Sequence, residues 1–131
     1  MTAALSVDNL SKSFPDAAEE VHAVIDVTLE IADGEFVALQ GPSGCGKSTL
    51  LMAAGGLLQP SGGSVSVSGT DLYSLSQDGR ARFRAENIGF VFQQFHLIPY
   101  LDVRDNVLAA SLATGAGDEK RAEELLEHFG L

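Results

Sequence analysis

The stretch Gly41-Pro42-Ser43-Gly44-Cys45-Gly46-Lys47-Ser48-Thr49 restricts this chain more than any other. It fits G-x-x-x-x-G-K-S, and it lies between a strand-like run, Glu35 to Gln40, and a helix-like run that starts near Lys47. Its fixed positions coincide by chance in on the order of one in a few hundred chains of this length. Gly41, Gly44 and Gly46 free the backbone to wrap around a polyphosphate with its N–H groups turned inward, where a Cβ would obstruct the turn or the approach. Lys47 then sets an ammonium against the β- and γ-phosphates, and the Ser48 hydroxyl is a ligand for the bridging Mg²⁺. Thr49 adds a donor close by, and the helix that follows points its free N–H groups and positive dipole end at the same anion. A tight turn alone would not require Lys-Ser, so the stretch implies binding of ATP or GTP.

The rest of the composition narrows the class. The chain has 131 residues, 45% of them hydrophobic, which suffices for one domain with a core. No apolar run reaches the length of about eighteen residues that a membrane helix needs, and Met1 to Leu5 carries no basic-then-apolar leader, so a cytoplasmic location is expected. Cys45 is the single cysteine and has no internal disulfide partner. Eighteen acidic against eight basic residues give a net charge of -10, which argues against nucleic acid as a partner. His22, His96 and His128 are far apart and show no metal spacing. Arg80, Arg82 and Arg84 read as a solvated helix face, and Cys45 lacks a nearby base for nucleophilic work.

Periodicity places the elements. Leu5 to Leu10 reads as a strand, with Pro15 ending the extended run and an acidic loop (Asp16, Glu19, Glu20) beyond it. Val21 to Ile31 reads as a second strand, turned at Asp33-Gly34 into Glu35 to Gln40 as an antiparallel hairpin. The apolar run Leu50-Leu51-Met52-Ala53-Ala54 implies a helix buried on most sides. A turn at Pro60 to Gly63 precedes an alternating strand, Ser64 to Ser68, and Ser76 caps a helix through about Glu86. Asn87 to Phe92 reads as a buried strand. Asp102, with Asp105 three residues on, starts a helix through Leu112, and Thr114 to Gly117 is a flexible connection. In the last helix Ala122, Leu125, Leu126 and Phe129 form the apolar stripe, with Gly130 at the C′ position and Leu131 packing back.

Several of these segments recur together in one family. Leu10-Ser11-Lys12-Ser13-Phe14, Asp26 to Ile31, Asp33 to Leu39, Pro60 to Gly63 with Gly69, and Ile88-Gly89-Phe90-Val91-Phe92-Gln93 follow the phosphate-loop pattern in order and approximate spacing. With them the chain resembles the nucleotide-binding subunits of ABC transporters along essentially its whole length, residues 1–131. Phe92-Gln93-Gln94-Phe95-His96-Leu97-Ile98-Pro99 is most similar to the branch that powers lipoprotein release and macrolide export. The resemblance implies an α/β fold, a P-loop NTPase core with an N-terminal antiparallel β subdomain. It matches Phe14 to the aromatic that stacks on adenine, against the plainer reading of a half-buried strand-end Phe. It matches Gln93 to the glutamine that reaches Mg²⁺ and the attacking water, with Gln94 as the local competitor. It implies a membrane permease as partner, docked through Phe95 to Leu101, unless that run packs beneath a neighbouring helix. A second ATP-binding subunit, arranged head to tail, and a peripheral place on the inner face of the cell membrane are implied with it.

The family's signature Leu-Ser-Gly-Gly-Gln, its strand ending in Asp-Glu and its switch histidine have no counterpart here. Ser61-Gly62-Gly63-Ser64 precedes the glutamine segment and sits in a turn, and Asp118-Glu119 follows glycines rather than an apolar strand. The chain is therefore expected to be the N-terminal portion of an ATPase, incomplete at the C-terminus, supplying the binding half of the reaction. Open sheet edges should then make the isolated chain prone to associate. Two further readings stand beside this one: a non-catalytic nucleotide-binding module, and another P-loop ATPase or kinase.

Overall fold

The computed structural model describes residues 3–16, 19–112, 115 and 118–131. They form two compact units, Met1–Arg80 and Ala81–Leu131.

The first unit is built on strand β1 (Leu5–Pro15), strand β2 (Glu20–Ile31), helix α1 (Lys47–Ala54), strand β3 (Gly62–Val67) and the short strand β4 (Thr70–Asp71). The strands make one four-stranded sheet in the order β2-β1-β3-β4, antiparallel at each pairing. The long pair β1–β2 joins Leu5 to Ile31 and Phe14 to Val21, with register shifts after Val7 and Leu10. Asn9 and Asp26 take left-handed conformations in that stretch, which short polar side chains tolerate. Thr28 Oγ1 accepts from the Asn9 N–H, and Ser11 Oγ from the Asp26 N–H, so hydroxyls replace ladder bonds at the slip. The slip lets Val7 and Leu10, three apart, both be buried with Val24 and Val65. Helix α1 packs against β1 and β2, burying Leu50 and Ala53.

Three sequence expectations fail in this unit. The first strand does not stop at Leu10 but runs five residues further, to Pro15, which ends the extended run as expected. Glu35 to Gln40 forms no strand, and the predicted hairpin with Val21 to Ile31 is replaced by β1–β2. The turn itself is present, with Gly34 at φ +74°. There, however, the Glu35 carboxylate accepts from the Ala32 N–H at 2.8 Å, taking the donor that would continue a ladder. Phe36 is left 94% exposed. Helix α1 is buried on one side only, because Leu50 and Ala53 face the sheet while Leu51 and Met52 stand exposed.

Helix α2 (Gln77–Asn87) leads into the second unit. Ser76 Oγ accepts from the Gly79 N–H at 3.1 Å, as a cap should. Arg80 departs from the solvated-face reading: its guanidinium lies 5.0 Å from the centre of the Tyr73 ring. The sequence predicts a buried strand over Asn87 to Phe92, but beyond the helix end the run forms no strand among the described residues, with Val91 fully exposed. Phe90 and Phe92 stack with ring centres 5.6 Å apart. A strand needs a neighbour to exchange hydrogen bonds, and among the described residues this run has none.

Helix α3 (Val103–Ala109) stops before the expected Leu112. Its cap is as expected, Asp102 accepting from the Asp105 N–H at 2.8 Å. Helix α4 (Glu119–Phe129) begins at the Asp118 cap and ends on left-handed Gly130, with the Leu131 N–H donating to the Leu126 carbonyl. Ala122 is buried and Leu125 and Leu126 are half-buried, whereas Phe129 and Leu131 stay exposed. Arg104 on α3 donates to Glu119 on α4 at 2.8 Å, and that bond and charge hold its guanidinium above its ordinary pKa. Of the expected connection Thr114 to Gly117, Thr114, Ala116 and Gly117 lie outside the described residues.

Candidate functional site

Between the Asp33-Gly34 turn and α1 the chain follows no regular element, and Gly41 to Gly46 curls into a loop whose far end is the start of the helix. Gly44 and Gly46 both take positive φ, +80° and +96°. At Gly46 the requirement is double, since a Cβ there would stand 2.1 Å from the Ala23 carbonyl oxygen of β2. The strand thus presses directly on the residue that opens the helix. Gly46 is also the N-cap and offers no side chain, so the first N–H groups of α1 have neither an intrahelical acceptor nor a side-chain one.

Lys47, the first residue of α1, folds back over the loop. Its Nζ donates to the Gly41 carbonyl at 2.7 Å and the Pro42 carbonyl at 2.7 Å, with Cys45 Sγ at 3.5 Å. An ammonium is thereby held at the mouth of a ring of backbone, beside the positive end of a helix. Two sources of positive potential converge on one spot of a chain whose net charge is -10. Ser43, Gly44 and Cys45 are exposed on the loop, and Ser48 presents its hydroxyl from the exposed side of the first helical turn. Thr49 is half-buried next to it. Such an arrangement suits a multiply charged anion, bound by N–H groups and one ammonium.

The other end of α1 is fastened by a residue that motif reading passed over. Tyr73 Oη reaches the Ala53 carbonyl at 2.5 Å and the Leu58 carbonyl at 2.7 Å. One phenolic proton shared between carbonyls at a helix C-terminus satisfies groups the helix leaves open. Neither Tyr73 nor Ala23 carries a local signal, because each acts across the fold.

The nine loop residues follow one another in a single loop and turn, and the remaining candidates lie on other segments. Phe14 lies near the β1 end of the hairpin, 38% exposed, with Lys12 Nζ 5.0 Å from its ring centre. Gln93 belongs to the second unit, exposed in a bend after the Phe90-Val91-Phe92 run, and Gln94 is exposed beside it. Of the three histidines, His22 Nδ1 lies 2.7 Å from Ser13 Oγ, while His96 and His128 meet Phe92 and Phe129 edge-on. Among the described residues no cluster of His, Cys, Asp and Glu could hold a metal by itself. No helix among them is long and apolar enough to cross a membrane.

Residues 24–131 match the family described as "ABC transporter". The chain belongs to the ABC transporter family. It is 45% identical to the lipoprotein-releasing system ATP-binding protein LolD 1 of Rhodopirellula baltica over 97% of its own length and 57% of that protein. Against the macrolide export ATP-binding/permease protein MacB of Salmonella choleraesuis it is 41% identical over its full length, covering 21% of that protein. Among solved structures, a dimeric post-hydrolysis state of the ATP-binding cassette MJ0796 bound to ADP and Pi superposes with a TM-score of 0.87 at 37% identity. That superposition covers 94% of this chain and 56% of the cassette. The family's α/β P-loop fold is therefore this chain's fold, although the sheet formed among the described residues is antiparallel. The chain spans a little over half the length of LolD 1 and of the cassette, and about a fifth of MacB.

Proposed function

We propose that the chain is the nucleotide-binding part of an ATPase subunit that drives a membrane transporter of the lipoprotein-release or macrolide-export kind. The observation that carries this is the Lys47 ammonium held over the Gly41-Pro42 carbonyls at the uncapped start of α1, within the span that matches the family. Incoming phosphate oxygens would displace those carbonyls, trading a neutral partner of the ammonium for a charged one. Gly41, Ser43, Gly44, Cys45 and Gly46 supply the wrapping backbone, and Thr49 sits in the first helical turn behind them.

The residues also fit Mg²⁺ accompanying the nucleotide. A hard cation takes oxygen ligands, and the exposed hydroxyl of Ser48, the residue after Lys47, is one such oxygen; the Gln93 side-chain carbonyl is the second we assign. When bound, the ion supplies charge neutralisation between the β- and γ-phosphates. Phe14 offers an aromatic face to the base, a contact of about 1–3 kcal/mol that does not read base edges.

Phe95, Leu97 and Tyr100 are exposed to 88%, 67% and 85%, in the segment that follows Gln93. Such a surface favours docking to an integral membrane partner over packing beneath a helix of the same chain. A second copy of the ATPase subunit, placed head to tail, and attachment at the inner face of the cell membrane complete the reading. MacB, whose name joins ATP-binding and permease functions, and the dimeric cassette support it.

Lys47→Ala tests the core of the proposal. Losing a charge-assisted contact costs about 1.5–3 kcal/mol, or roughly ten- to 150-fold in affinity for a fluorescent ATP analogue. Unchanged affinity would remove Lys47 from the site.

A further inference from the structure

Asn106 is half-buried on α3, and its amide group is used on both sides. Its Oδ1 accepts from the Ile98 N–H at 2.8 Å. Its Nδ2 reaches three carbonyls: Ile98 at 3.2 Å, Leu101 at 3.0 Å and Asp102 at 2.9 Å. The amide therefore exchanges a donor and an acceptor with the backbone of Ile98, as a neighbouring strand would, and also ties down the far end of the same segment.

What it ties down is a four-residue turn. The Leu101 N–H donates to the Ile98 carbonyl at 3.1 Å, with Pro99 and Tyr100 at the two central positions. Proline presets the backbone angle at the first of these and has no N–H to satisfy. Tyr100 is thereby displayed at the tip, with Leu97 just before the turn, while Ile98 and Leu101 are only half-buried. A turn that points its largest side chains into solvent has little apolar burial to hold it, so its shape rests on the hydrogen bonds at its base. All four side-chain bonds at that base come from one residue.

We propose that Asn106 is a positioning residue that presents the Leu97–Leu101 turn, with Tyr100 at its tip, to the integral membrane partner. The inference rests on the docking surface assigned above and names what gives that surface its form. Asn106 acts through the backbone of Ile98 and Leu101, with which its amide is hydrogen-bonded.

The test uses the full-length chain carrying a photo-crosslinking residue at His96, mixed with inverted membrane vesicles from the producing cell. Asn106→Ala should lower the yield of adduct with an integral membrane protein about tenfold and speed exchange of the Ile98 amide by a similar factor. Binding of the ATP analogue should stay within about twofold, a split that general unfolding would not produce. Asn106→Asp, which keeps an acceptor for the Ile98 N–H but loses the donors, should fall between the parent and Asn106→Ala. It decides the matter if the alanine variant fails to fold. Equal adduct yield from parent and variants overturns the role of Asn106 and leaves the docking surface standing. If the parent itself forms no adduct under any nucleotide condition, the docking surface falls and the positioning role falls with it.

Discussion

Replacing Gly46 with alanine tests how the phosphate loop is held. The residue sits at φ +96°, where an L side chain is strained by about 1–2 kcal/mol. Its new Cβ would also stand 2.1 Å from the Ala23 carbonyl oxygen, whereas ordinary contacts begin at 3.4 Å. The atom it meets is backbone in the second strand of a paired ladder, so relief requires α1 or β2 to retreat by more than an ångström. Such overpacking adds about 1–3 kcal/mol. Gly44 is the internal control, because its φ is +80° yet nothing lies within 4 Å of its Cβ position. Gly44→Ala should therefore cost only the conformational part, and Gly46→Ala about 2–5 kcal/mol in all. In urea unfolding followed by circular dichroism without nucleotide, the Gly46 variant should lose its β-rich transition about 1 M earlier than the Gly44 variant. Coincident midpoints would refute the claim that β2 braces the start of the helix.

Three further outcomes follow from the same geometry. Alkylating exposed Cys45, whose Sγ lies 3.5 Å from Lys47 Nζ, should abolish binding of the ATP analogue, and prior saturation with nucleotide should slow the alkylation. Tyr73→Phe removes the proton that serves the Ala53 and Leu58 carbonyls and should destabilise the first unit by about 1–3 kcal/mol in urea titration, with little change in helix content. Asp102→Ala removes the cap of α3 and should cost about 1 kcal/mol, seen as faster amide exchange at Val103 to Asp105 while α4 is unaffected.

The features that were legible in the sequence are those whose cause is local. G-x-x-x-x-G-K-S places an ammonium and an uncapped helix start together because all its parts lie within one loop and one turn. The Ser76, Asp102 and Gly130 caps, and the apolar stripe of α4, follow from hydrogen bonds and spacings of three or four residues. The tertiary structure decided what depends on a distant partner. Glu35 to Gln40 and Asn87 to Phe92 have strand-like composition but no neighbour to bond among the described residues, and a ladder cannot form from one side. The pairing of β1 with β2, with its slips at Asn9 and Asp26, set which valines and leucines are buried. Ala23, Tyr73 and Asn106 gained their roles only on folding, because a carbonyl, a phenol and an amide become specific once the groups they meet are brought within hydrogen-bond or contact distance.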